Sequence, residues 1–323
     1  MRPVIVRLPN WVGDVVMSLP ALSHLARTGF TPVLVGKGWS RTLLAGYGWE
    51  IYARAPTLRA RVTQLHELHR RAAREDADFG GRINTLLLTN SFSSAFEARL
   101  ARLRPIGYSQ DGRGWLLSRA LPQPRDPVHE STRFWRLATT LTGSSMPQPA
   151  QLGLQVAPLG QQAADGLLAQ HSLGGDFACI VPFATGTMGG INKSWPEFAA
   201  FTKWLRQKLP VVVVPGPAET VDAARFQPDA LVLEGLDLGV YAGILKRARL
   251  VVANDTGPAH MAAAVGTPLL SVLGPTDPVR YRPWGAHVTI VQEPPWPTLE
   301  QVCAHARRLL DGDLARTGHI IPE

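Results

Sequence analysis

The sequence predicts an α/β protein with two Rossmann-like domains that face each other across a cleft. Its 323 residues are too many for one ordinary core and suit two domains of typical size. Short apolar runs alternate with amphipathic helical patterns, which is typical of βαβ units and parallel sheets. Residues 143–160 contain three prolines, three glycines and no charge. We therefore expect a linker there, between domains at 1–150 and 151–323.

In the first half, the elements follow one another from the N-terminus. Apolar runs predict the strands Val4–Arg7, Pro32–Val35, Glu50–Ala53 and Thr85–Thr89. Amphipathic spacing predicts the helices Val15–Arg27 and Phe92–Leu103. An Arg-rich stretch, Arg59 to Arg74, has the pattern of a solvated helical face.

The second half repeats the same alternation. Its predicted strands are Phe177–Val181, Val211–Val214, Leu231–Leu233, Leu250–Val252 and Leu269–Leu273. Its predicted helices are Trp195–Leu209, Leu238–Ala248, Pro258–Val265 and Leu299–Leu310. The last of these helices could pack on either domain.

Composition excludes several classes of protein. With 45% apolar and 18% charged residues, the chain is neither disordered nor collagen-like. Two cysteines cannot form a disulfide framework, so we expect a reducing compartment. No stretch approaches the roughly 18 apolar residues of a membrane span, and the N-terminus lacks the apolar region of a signal peptide. We expect a soluble intracellular protein.

The charge is unevenly distributed between the two halves. Residues 1–160 hold 20 Lys+Arg and 10 Asp+Glu, a net charge of +10, whereas residues 161–323 hold 13 and 15, a net charge of −2. The first half is therefore the candidate for an anionic partner, although any single basic cluster is as readily a solvated surface.

The first segment with chemical content is RLPNWVGDVVMSLPAL, residues 7–22. It predicts a strand, a Pro-Asn turn and a helix that starts at or just after Asp14. Asp14 has an ordinary structural interpretation as a helix cap or first-turn acid. In the functional interpretation, Gly13 lets a substrate approach and Asp14 acts as a base.

The second segment is PFATGTMGGINKSWP, residues 182–196, directly after a predicted strand. Its small residues can present backbone N–H groups to phosphate, and Lys193 can add a positive charge. The segment matches neither a Walker A motif nor a GxGxxG fingerprint, which disfavours P-loop ATPases and simple dehydrogenases. It could equally be an ordinary strand-to-helix loop.

The third segment runs from residue 250 to 285 and contains NDTGPAH and GPTDP. A strand leads into NDTG and a helix begins near Pro258, so free N–H groups there can bind anions. Asp255 can accept hydrogen bonds from sugar hydroxyls, and His260 lies in the first turns of the helix. Capping by Asp255 or Thr256 explains part of this pattern. The GPTDP loop ends the next strand, so the two loops together would form one wall of a pocket.

Together these segments resemble the ADP-heptose:lipopolysaccharide heptosyltransferases, glycosyltransferase family 9. The matching pieces are WVGDVVMSLPAL, NKSWP, VPGPAE at 214–219 and NDTGPAHMAAAVGTPLLSVLGPTDP, in the family's order. The resemblance implies a GT-B fold, an acceptor bound mainly by the N-terminal domain and an ADP-sugar bound mainly by the C-terminal one. It also implies an inverting transfer of heptose to the lipopolysaccharide inner core, closest to heptosyltransferase II.

The resemblance also implies roles for individual residues. Asp14 matches the family's proposed base, with Gly13 beside it; Lys193 matches the lysine that neutralises the nucleotide phosphates. Glu219 matches an acid near the ribose, Asp255 a contact to the transferred sugar, and Thr256 and Gly257 offer backbone donors to the diphosphate. Thr185, Thr187 and His260 complete the substrate-binding candidates. The segment before Lys193 is longer than the family's usual small-residue motif.

The expected partners are ADP-heptose, an anionic acceptor (lipid A–Kdo or a heptosylated core) and the inner-leaflet membrane surface. We expect no nucleic acid, no metal and no cofactor, and a cytoplasmic location at the membrane periphery. Two alternatives stay open: a GT-B enzyme for another nucleotide sugar, as a transferase or epimerase, and a non-catalytic nucleotide-sugar-binding protein.

Overall fold

The computed structural model describes residues 1–184, 187–188 and 190–312. The chain divides into two compact units, Met1–Pro149 and Ala150–Glu323. Each unit contains one six-stranded parallel sheet with helices packed against it.

The sheet of the N-terminal unit has the strand order β3-β2-β1-β4-β5-β6. Its strands are β1 Arg2–Arg7, β2 Phe30–Gly36, β3 Glu50–Ala53, β4 Thr85–Leu87, β5 Pro105–Tyr108 and β6 Arg119–Leu121. Its helices are α1 Val12–Met17, α2 Leu19–Arg27, α3 Ser40–Leu43, α4 Leu58–Glu75, α5 Phe92–Leu100 and α6 Glu130–Thr142. The order reverses between β1 and β4, and ligands of such sheets bind at the carboxyl ends of the strands at that point.

The C-terminal unit repeats this topology, with the order β11-β10-β7-β12-β13-β14. Its strands are β7 Ala178–Val181, β10 Val211–Val213, β11 Leu231–Val232, β12 Leu250–Ala253, β13 Leu269–Leu273 and β14 Val288–Gln292. In a separate two-stranded sheet, β8 Thr187–Met188 pairs with β9 Ile191–Asn192 in antiparallel orientation. Its helices are α7 Pro158–Gln170, α8 Phe198–Arg206, α9 Thr220–Phe226, α10 Leu238–Arg247, α11 Gly257–Val265, α12 Pro278–Tyr281 and α13 Leu299–Leu310. Here the order reverses between β7 and β12.

Apolar side chains on both faces of each sheet form the core of that unit. The strands are buried along most of their length, as parallel strands covered by helices must be. In the C-terminal unit, Phe198, Phe201 and Leu205 of α8 pack against β7 and β10, and Val302 and Ala306 of α13 join the same cluster. Helix α13 thus belongs to the core of the C-terminal unit.

The first helical segment departs from the sequence-based prediction. Helix α1 begins at Val12, two residues before Asp14, and the segment is two helices that meet at Ser18. Pro20 explains the break, because it has no N–H to donate to the carbonyl four residues earlier. The prediction of a single helix starting at or after Asp14 is therefore wrong.

Candidate functional site

Three side chains of the C-terminal unit converge where β7 and β12 end. Asp255 follows β12, and its Oδ2 lies 2.5 Å from Nζ of Lys193, which follows the β8–β9 hairpin. Nε2 of His260, in α11, lies 3.8 Å from Oδ1 of the same carboxylate. The cluster thus occupies the position where the strand order reverses, as a ligand site in such a sheet is expected to do.

A hydrogen bond joins this cluster to the next strand. The Thr276 hydroxyl, in the GPTDP loop after β13, donates to Asp255 Oδ2 over 3.0 Å. The loops after β12 and β13 are therefore in contact, as the sequence pattern predicts.

Asn254 fixes the backbone that carries Lys193. Its Oδ1 accepts from the Trp195 N–H over 3.0 Å, and its Nδ2 donates to the Pro182 carbonyl over 2.7 Å. Asn254 is fully buried, so both bonds form away from water, where leaving an amide unpaired would be costly. The two ends of the 182–195 segment are thereby held beside β12.

The carboxylate of Asp255 is strongly stabilised in its ionised form. Burial alone would raise the pKa of Asp255, but His260 and Lys193 beside it outweigh that effect and lower the pKa from 3.8 to about 2. With 9% of Asp255 exposed, the ion pair with Lys193 is largely shielded from water. Lys193 itself is more accessible, with 18% of its side chain exposed.

Helix α11 begins directly after Asp255. Thr256 is its N-cap and accepts a hydrogen bond from the Ala259 N–H over 3.4 Å, and Gly257 is the first helical residue. The capping role that the sequence allowed to either Asp255 or Thr256 thus falls to Thr256. The carboxylate of Asp255 is directed to Lys193 and Thr276 instead.

The other nucleotide-side candidates lie on separate segments. Glu219 follows β10 and its Oε2 accepts from the Gly216 N–H over 2.8 Å, which closes the turn of the VPGPAE segment. Thr187 is exposed in β8, where it pairs with Asn192 of β9. Within the described residues, neither joins the hydrogen-bonded cluster around Asp255. Thr185 lies outside the described residues.

Asp14 and Gly13 lie in the N-terminal unit, in the first turn of α1. Helix α1 begins at Val12 with Trp11 as its N-cap residue, so Asp14 is the third helical residue. Asp14 is therefore not the helix cap, but it is an acid in the first turn, which the sequence also allowed. Asp14 lines a pocket of about 170 Å³ at the carboxyl ends of β1 and β4. Gly13 is buried beside it. This pocket lies at the reversal point of the N-terminal sheet.

Sequence reasoning missed several polar residues of the two sites. Asn254 and Thr276 lie in motifs that the sequence singled out, NDTG and GPTDP, so the signal for them was present. Thr89 and Glu130, which line the Asp14 pocket, have no local motif that marks them. Only the fold brings them to Asp14.

The part of the chain that the structure describes contains no group of three or more His, Cys, Asp or Glu side chains suited to a metal ion. In the same residues, no helix is long and apolar enough to cross a membrane.

Comparison with known proteins identifies the family of this chain. Residues 70–307 match glycosyltransferase family 9 (heptosyltransferase). Lipooligosaccharide heptosyltransferase 2 of Haemophilus ducreyi is 26% identical over 318 residues, which cover 88% of this chain and 86% of that protein.

Among solved structures, E. coli ADP-heptose lps heptosyltransferase II has a TM-score of 0.79 at 22% identity and covers 98% of this chain and 100% of its own. An E. coli heptosyltransferase with ADP has a TM-score of 0.69 at 21% identity, with 97% and 100% covered. At these identities the likeness shows the fold, which is GT-B.

Two parallel Rossmann-like sheets, each with polar side chains at its reversal point, form a GT-B fold. The family match extends over most of the chain, and the chain belongs to glycosyltransferase family 9, the heptosyltransferases.

Proposed function

We propose that this protein transfers heptose from ADP-heptose, with inversion, to the inner core of lipopolysaccharide, as a heptosyltransferase II-like enzyme. The observation that carries the proposal is the Lys193–Asp255–His260 cluster at the reversal point of the C-terminal sheet. In a family 9 chain, this cluster combines a cation for a diphosphate with a carboxylate for sugar hydroxyls. The names of the Haemophilus and E. coli relatives support the same substrates.

The C-terminal unit is the proposed donor domain. Lys193 pairs with the diphosphate of ADP-heptose, and the backbone N–H groups of Thr256 and Gly257 at the start of α11 donate to its oxygens. Because the phosphates compete with Asp255 for Lys193, donor binding frees an oxygen of Asp255 to accept from the heptose hydroxyls. Glu219 is the proposed ribose contact, and Thr187, with Thr185, lies in the proposed phosphate segment.

The N-terminal unit is the proposed acceptor domain. Asp14 takes the proton from the acceptor hydroxyl while that oxygen bonds to the anomeric carbon opposite the diphosphate. The bond from the anomeric carbon to the diphosphate oxygen breaks, and ADP leaves with its charge stabilised by Lys193 and the start of α11. Gly13, buried beside Asp14, is the proposed point of close approach for the substrate.

The net charge of +10 in the N-terminal half suits an anionic acceptor such as lipid A–Kdo or a heptosylated core. The same charge favours peripheral attachment to anionic lipid at the cytoplasmic face of the inner membrane.

One experiment tests the function directly. Purified protein is incubated with ADP-heptose, with and without Kdo–lipid A or heptosylated core, and ADP release and the anomeric configuration of the product are measured. We expect ADP release that depends on acceptor, and an inverted product. Epimerisation or hydrolysis without acceptor would support a different GT-B reaction, and donor binding without turnover would support a non-catalytic binding protein.

A further inference from the structure

The pocket that contains Asp14 is lined by three segments far apart in the sequence. They are the residues after β1, the residues after β4 and the start of α6. Its volume is about 170 Å³, and it lies at the carboxyl ends of β1 and β4.

Thr89 lines this pocket and carries a hydroxyl. The residue is 8% exposed, and its Oγ1 is buried without a hydrogen-bond partner among the residues that the structure describes. The Thr89 backbone is held firmly, because its carbonyl accepts from Nη1 of the buried Arg113 over 2.6 Å. A hydroxyl can donate once and accept twice, and a buried one is rarely left unpaired. Its position thus points to a polar ligand in the pocket.

Glu130 contributes a second carboxylate. It is 6% exposed and is the first residue of α6, where the helix dipole favours a negative charge. Its Oε1 lies 3.0 Å from Nη1 of Arg133, which also donates to Gln123. Glu130 therefore brings carboxylate oxygens, which accept hydrogen bonds, to the lining of the pocket.

We propose that Thr89 and Glu130 bind the hydroxyls of the acceptor sugar and so position the attacking hydroxyl at Asp14. This inference rests on the proposed function, and it assigns the acceptor a site: the ring of a polyhydroxylated sugar, seated in the pocket at the reversal point of the N-terminal sheet. Thr89 and Glu130 are specificity-determining residues, while Asp14 performs the proton transfer.

The decisive variant is Thr89→Val, because valine has nearly the shape of threonine and lacks the hydroxyl. If the Thr89 hydroxyl has no role beyond the fold, its removal leaves acceptor binding unchanged. If it binds the acceptor, Thr89→Val raises the acceptor KM by roughly 2- to 12-fold, leaves the ADP-heptose KM unchanged and does not lower Tm. Thr89→Ser restores the hydroxyl and returns the acceptor KM toward the wild-type value.

Glu130→Gln is the second variant, and we expect it to raise the acceptor KM by roughly 10- to 150-fold, because a charge-assisted hydrogen bond is lost. If Glu130→Gln fails to fold after loss of the Arg133 pair, Thr89→Val still decides. The matched controls are Thr63→Val and Glu67→Gln, exposed positions of α4 that we expect to keep wild-type kinetics.

The probes are Kdo–lipid A and heptosylated core, each measured by calorimetry without donor and by turnover with ADP-heptose. Equal acceptor affinity in the wild type and Thr89→Val overturns the pocket assignment and leaves the transfer function standing. Wild-type protein that binds acceptor but releases no ADP overturns the transfer and leaves the pocket standing. Wild-type protein that binds neither acceptor overturns both.

Discussion

Replacing Asp255 with asparagine should destabilise the protein in a way that depends on pH. The pKa of Asp255 is about 2 in the folded protein, against an ordinary value of 3.8. The difference corresponds to roughly 2 kcal/mol of stability. Because the folded pKa is the lower one, this stability is fully present above pH 3.8 and is lost as the pH falls through about 2. The asparagine side chain would keep an acceptor for Thr276 but lack the charge that faces Lys193.

The assay is urea unfolding of the wild type and Asp255→Asn at pH 7 and pH 3, with the two units fitted as separate transitions. We expect Asp255→Asn to lose about 2 kcal/mol at pH 7 and roughly half as much at pH 3. The control is Asp176→Asn, which breaks an exposed ion pair with Arg249 and should cost little at either pH. A loss of equal size at both pH values, or one no larger than that of Asp176→Asn, would refute the electrostatic account of Asp255.

The other predictions concern each proposed substrate in turn. Lys193→Ala should weaken ADP-heptose binding by roughly 10- to 150-fold in calorimetry, with Lys193→Arg a poor substitute; unchanged binding would remove Lys193 from the donor site. Asp14→Asn should lower kcat by at least about 100-fold in steady-state kinetics while donor affinity and Tm change little. Near-normal turnover would exclude Asp14 as the general base. Co-sedimentation with anionic vesicles should occur at low salt and fall as salt is added; absence of binding at low salt, or insensitivity to salt, would contradict attachment through charge.

Much of the fold follows from local sequence pattern. The strands Glu50–Ala53 and Leu269–Leu273 and the helix Leu299–Leu310 have the predicted bounds, because each is an uninterrupted run ended by turn residues. Strands β5, β6 and β14 and the short strands β8 and β9 were missed. β5 begins at a proline and contains a glycine, and Arg119 and Ala120 of β6 are exposed at the edge of the sheet. Such strands form because a neighbouring strand offers them a hydrogen-bonding edge, which periodicity does not report.

The candidate site also contains some features that could be predicted from the sequence and others that could not. The segments that can hold a nucleotide were identified from the sequence. They follow predicted strands and contain glycines, a lysine or the NDTG motif. The pairing of Lys193 with Asp255 was not, because it depends on β12 lying next to β7 in the sheet, whereas β10 and β11 lie between them along the chain. Thr89 and Glu130 were missed for the same physical reason, since the order of parallel strands is set by tertiary packing.

The position of Asp14 changes what its substitution can reveal. An N-cap aspartate would be replaced by asparagine with little effect, since both side chains accept from backbone N–H groups. Trp11 occupies the N-cap position instead, and Asp14 is the third residue of the first turn, where its charge interacts with the helix dipole for about 0.3–1 kcal/mol. A loss of that size is small beside the barrier increase of roughly 3–5 kcal/mol that removal of a general base produces. Stability and turnover measured on the same Asp14→Asn protein therefore separate the two roles, because a dipole effect alone lowers Tm slightly and leaves kcat nearly unchanged.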